Sequence, residues 1–131
     1  MHRISIIICV ALSLIITGCS TTAGVTPAEK RQSTLAMKNK VLKDLNKLKP
    51  DVKSQISRAP GYAVFSNVNV KIIFASFGGG YGVVKNNKTG KHTFMKMGEV
   101  GIGIGLGAKD FRAVFVFHKA ETMKRFIEHG W

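Results

Sequence analysis

The sequence is short of acid. It has 7 Asp+Glu against 20 Lys+Arg, so the formal net charge is +13 and the pI is near 10.2. A general acid/base pair needs two placed carboxylates or a histidine with a partner. Glu99, Asp110, Glu121 and Glu128 make no such constellation. His92, His118 and His129 are scattered, with no cysteine or tight carboxylate cluster near them, and read as surface or satisfied histidines. There is no Gly-x-Ser-x-Gly elbow, so no enzymatic activity is expected. Cysteine is scarce too. Two residues are too few for a disulfide-dense scaffold or a four-cysteine zinc site. No metal and no cofactor are expected. The low hydrophobicity of a disordered chain is absent, because 45% of the residues are hydrophobic. The 14 glycines follow no three-residue period, which excludes collagen. What remains is a small, very basic, foldable chain of 131 residues, room for one domain.

The first residues read as an address. Met1-His2-Arg3 gives a short positive start, and Ile4 to Ile16 is an almost unbroken apolar run. That run is shorter than the roughly 20 residues needed to cross a bilayer, and it suits a secretory signal. It ends in Ile16-Thr17-Gly18-Cys19. These four residues resemble the lipobox of bacterial lipoproteins. The resemblance implies cleavage before Cys19, acylation of its sulfur, and acylation of its new amine. Ser20, where an aspartate would retain the protein at the inner membrane, implies export to the outer membrane, lipid-anchored and facing the periplasm. In a host with one membrane the same anchor implies the outer face of the cell membrane. Cys9 leaves with the signal. Arg3 is the sole Lys or Arg in residues 1–18, so the high charge belongs to the exported part.

Three segments follow: a signal over 1–18, a lipidated tether over 19–27, and a single domain over 28–131. Ser20 to Pro27 is small and polar, as a flexible tether would be. From Ala28 to Lys49 there is neither Gly nor Pro. Leu35, Leu42, Leu45 and Leu48, with Met37 and Val41 beside them, fall near one stripe at helical spacing. Pro50 is expected in the first turn of a second, short helix, PDVKSQIS. Ala59-Pro60-Gly61 marks a change to strands. GYAVFSNV, NVKIIFASF, YGVVK, KHTFMKM, EVGIGIGLGAKD and FRAVFVFH make about six of them, with Asn86 to Gly90 as a hairpin loop. Gly101, Gly103, Gly105 and Gly107 alternate with Ile102, Ile104 and Leu106, which puts a bare glycine face on one side of that strand. In the last strand Phe111, Ala113, Phe115 and Phe117 share one face; Arg112, Val114, Val116 and His118 share the other. Lys119 to His129 reads as a final helix capped by Gly130.

The fold class expected is α+β. A twisted antiparallel sheet of about six strands packs on the N-terminal amphipathic helix and the C-terminal helix. Phe65, Phe74, Phe94, Phe115, Ile102, Ile104 and Leu106 are the core candidates. Gly103 to Ala108 fits a loose dinucleotide pattern, but it lies inside a strand pattern with a β run after it and no helix. No nucleotide is expected.

The basic residues are the remaining chemistry. Nine lie between Lys30 and Arg58, against Asp44 and Asp51. A charge run is often no more than a solvated face. On an exported chain tethered by lipid, it is also suited to anionic headgroups, each nearby Lys or Arg contributing about 1 kcal/mol. Candidate contacts are Lys38, Lys40, Lys43, Lys47, Lys49, Lys53, Lys85, Lys88 and Lys91. Export argues against nucleic acid as the partner. GYAVFSNV, FGGGYGVV, VGIGIGLGAKDFRAVFVF and FIEHGW, in this order, resemble the SYLF domain family in its bacterial lipoprotein branch. The resemblance runs over essentially the whole chain after the tether and implies a lipid-binding module. It also implies residues beyond Gly130-Trp131, where this sequence stops, so the chain is expected to be a short member. The function expected is a non-enzymatic envelope lipoprotein that binds anionic phospholipid membrane. The alternative is an envelope interaction protein that binds another protein or an acidic cell-wall polymer.

Overall fold

A computed structural model of the protein describes residues 26–67, 80–97 and 111–131. Among the described residues the architecture is α+β, with three helices and a four-stranded antiparallel sheet. Helix α1 spans Pro27–Leu48 and α2 spans Val52–Arg58. Strands β1 (Gly61–Ser66), β2 (Tyr81–Asn86), β3 (His92–Lys96) and β4 (Arg112–Phe117) follow, then helix α3 (Ala120–His129). The sheet order is β3-β2-β1-β4. Of the six strands expected, NVKIIFASF and EVGIGIGLGAKD lie outside the described residues. So do Phe74, Ile102, Ile104, Leu106, Cys19 and the tether up to Val25.

Helix α1 starts where its cap dictates. Thr26 Oγ1 accepts from the Glu29 amide at 3.2 Å, and Glu29 Oε2 accepts from the Thr26 amide at 2.8 Å. With Pro27 in the first turn, this reciprocal box satisfies two donors that a helix start leaves open. Pro50 stands outside the second helix, whose N-cap is Asp51. The backbone turns first, with the Val52 amide donating to the Lys49 carbonyl.

Strand β1 is central and buried along its whole length, because layers cover both faces. On one side Tyr62 and Val64 meet Val41 of α1 and Ile56 of α2. On the other, Ala63 and Phe65 meet Met123 and Phe126 of α3. Strand β4 divides the same way, as its alternation requires: Val114 and Val116 lie under α1, and Phe115 and Phe117 under α3. The ring of Phe126 sits 5.2 Å from Phe117, 5.6 Å from Phe115 and 5.9 Å from Phe65. Gly82 permits this cluster, since a Cβ there would strike the Phe65 ring. Gly130, at φ 77°, ends α3 and donates to the Phe126 carbonyl.

Two further expectations need correction. Helical spacing puts Leu48 near the apolar stripe of α1, yet it is 82% exposed. It is the last residue of the helix, and it lines an apolar cleft of about 490 Å³ with Val52, Val114 and Val116. The stripe that faces the sheet includes Thr34, Lys38 and Val41, with Leu45 partly buried. Phe94 is half-buried and not part of either buried cluster, because β3 is the outermost strand on its side of the described sheet.

Candidate functional site

The expected lysines fall into three groups. Lys40, Lys43 and Lys47 recur three and four residues apart, so they lie within roughly 60° of arc on α1. All three are exposed, on the side opposite Lys38 and Val41. Lys40 donates to Asp44 Oδ2 at 3.1 Å, and this hydrogen bond holds the Asp44 carboxyl below the usual carboxylate range. Lys49 and Lys53 extend the exposed basic surface beyond the end of α1.

Lys88 and Lys91 are exposed on the β2–β3 hairpin. That hairpin is fixed to α2. Asn87 Nδ2 donates to the carbonyls of Ile56 at 2.8 Å and Ala59 at 2.9 Å, and the Asn87 amide donates to Pro60. Gly90 closes the turn at φ 74°, a conformation that favours glycine.

Lys38 and Lys85 are placed differently. Lys38 is 7% exposed and points from α1 onto the sheet. Strand register puts His92, Lys85, Tyr62 and Val116 in one row across the face that α1 covers. The Lys38 ammonium lies 3.4 Å from His92 Nε2, and Lys85 is the cross-strand neighbour of His92. An ammonium has only hydrogens to give, so Nε2 accepts and the ring is neutral. Burial, and then the Lys85 charge, pulls the Lys38 pKa down. Burial, then Lys38 and Lys85, pulls the His92 pKa down. Among the described residues no carboxylate pairs with any of the three. Lys38 therefore stands apart from the solvated lysines with which its charge had grouped it.

The sequence reads His92 as a surface or satisfied histidine, with no sign of its partners. Lys85 faces it across the β2–β3 hairpin, and the docking of α1 brings Lys38 to it from a distant part of the sequence. Its ring also stacks on Phe94, with centroids 6.4 Å apart. His118 and His129 are exposed. Among the described residues no group of three His, Cys, Asp or Glu is placed to hold a metal ion. No helix among them is long and apolar enough to cross a membrane.

A basic face and a sheet between helices can be compared with known proteins. Over 106 residues the sequence is 34% identical to beta cell expansion factor A of Aeromonas veronii. The chain is similar to that protein. The matched region is 81% of this chain and 40% of the relative's length, so the chain spans well under half of the protein it matches. No family model matches the sequence.

Proposed function

We propose that the protein is a non-enzymatic envelope lipoprotein with a SYLF-type domain whose basic surface binds anionic phospholipid. The observation that carries this reading is the strip of Lys40, Lys43 and Lys47, exposed together on the outward side of α1 in a chain of net charge +13. The similarity to beta cell expansion factor A supports the common ancestry that a SYLF assignment needs. Anchored through Cys19 in the outer membrane and facing the periplasm, the domain works close to headgroups, so the effective concentration of its surface is high. The attraction is electrostatic. It fades beyond a Debye length of about 10 Å at 0.1 M salt.

Vesicle co-sedimentation of the chain from Ser20 onward tests the reading. Pelleting with phosphatidylglycerol-containing vesicles, little with phosphatidylcholine alone, and loss of the difference at high salt are expected. Equal pelleting with both at low salt would sink it and leave an envelope protein or acidic cell-wall polymer as the partner. The anchor has its own test. Wild type should gain the mass of acyl chains and fractionate with outer membrane, and Cys19→Ser should do neither.

A further inference from the structure

We infer that Lys38, Lys85 and His92 form a proton-gated site for a phosphate group at the seam between α1 and the sheet. The inference does not depend on the membrane reading, since a free phosphate and a lipid headgroup offer the same chemistry.

Three basic side chains from three elements converge here: Lys38 from α1, Lys85 from β2 and His92 from β3. Charges of one sign repel, and a buried charge without a counter-ion is costly. Protein interiors ordinarily answer such a charge with a carboxylate or remove it. Here, among the described residues, the Lys38 ammonium has one partner, a neutral imidazole at 3.4 Å. That is a long and weak contact for the cation of a buried residue. Departures from local consistency of this kind are expected at functional or strained sites. The group that would satisfy the cluster is an anion with several acceptor oxygens. A tetrahedral phosphate can take hydrogens from both ammonium groups and from the ring at once.

The gate is His92. While neutral, its Nε2 occupies one Lys38 hydrogen. Once protonated, the ring has no acceptor, becomes a donor, and turns the pair of cations into three. The charged groups facing it are Lys38 from the helix and Lys85 from the neighbouring strand, and Tyr62 of β1 is next in the row. Burial and the two lysine charges act against protonation when the site is empty. An anion reverses that balance, so binding and proton uptake favour one another. With one proton linked, affinity rises by up to about tenfold per pH unit on acidification through the bound-state pKa of His92.

The test follows the His92 ring by NMR in the full chain in neutral detergent, over about pH 5 to 8. Inorganic sulfate is the first probe, because its charge is constant over this range and leaves His92 as the titrating partner. Sulfate and inorganic phosphate are each expected to move the His92 midpoint upward. Lys38→Met and Lys85→Met should each abolish the ion-induced shift. No shift in wild type, or the same shift in Lys38→Met, would overturn the site. If a variant fails to fold, the wild-type titration still decides. Vesicles containing phosphatidic acid distinguish the source. A His92 shift with them, beyond phosphatidylcholine alone, assigns the phosphate to a headgroup. A shift with free ions but none with vesicles keeps the site and assigns it to a soluble phosphate, whatever the fate of the membrane reading.

Discussion

Lys38 puts a cation between α1 and the sheet. Its pKa is lowered, so the folded state disfavours the ammonium that the unfolded chain carries freely. The sign follows: at neutral pH the residue detracts from stability, and the penalty lifts only as pH rises towards the ordinary lysine value. Lys38→Met should therefore stabilise the protein by about 1 kcal/mol in urea unfolding, since a buried charge gives way to apolar packing. A destabilised variant would mean that the contact with His92 is worth more than the burial costs. His92 carries the matching pH dependence. Its folded pKa lies below the unfolded value, so the unfolded chain binds more protons in that window. Stability is present above the unfolded value of about 6.5 and falls as pH drops through the folded one. His92→Gln should flatten this acid limb, and unfolding midpoints across the range will show whether it does.

Between elements, two side chains make contacts that a truncation would remove. Phe126 fills the space between α3 and the sheet, touching three phenylalanines. Phe126→Ala should cost about 3–5 kcal/mol, read by chemical denaturation. Asn87 ties the hairpin to the end of α2 through two carbonyls, so Asn87→Ala should cost about 1–3 kcal/mol. These two elements differ in how far the sequence announces them. The Phe111-to-Phe117 alternation already divides β4 into its two faces, and Gly130 already marks the end of α3, because both signals are local and periodic. Val41 in a helical stripe is legible for the same reason. Leu48 is not, since periodicity says which side a residue is on and nothing about where the sheet beneath it stops. The pairing of β1 with β4 is equally hidden: it joins segments far apart in sequence, and hairpin logic assigns strands to their sequential neighbours. The candidate site shares that limit. Counting charge finds the exposed strip of α1, but burial, which separates Lys38 and Lys85 from Lys40, Lys43 and Lys47, is a property of docking.

At the scale of the whole molecule, charge is asymmetric by composition and graded by position. With 20 basic against 7 acidic residues, almost any face is positive, so net charge alone predicts indiscriminate attraction to acidic surfaces. Position makes a stronger prediction. Lys40, Lys43 and Lys47 lie side by side on the side of α1 turned from the sheet, where they can approach a plane together, whereas Lys88 and Lys91 stand on a hairpin held against α2. Each lysine near an anionic surface contributes about 1 kcal/mol, so losing all three should weaken vesicle binding up to about a hundredfold at low salt. The discount falls on Lys40, whose bond to Asp44 already neutralises part of its charge. Replacing Lys40, Lys43 and Lys47 by glutamine should therefore lower binding to anionic vesicles far more than replacing Lys88, Lys91 and Lys124. The salt dependence should flatten in the first variant and persist in the second. Both variants change net charge equally, and all six residues are exposed, so stability should move little in either. Equal losses would show that the molecule is attracted as a diffuse cation. Unequal losses in the expected order would show that it binds in one orientation, with α1 on the membrane and the seam that holds Lys38 and His92 just beneath it.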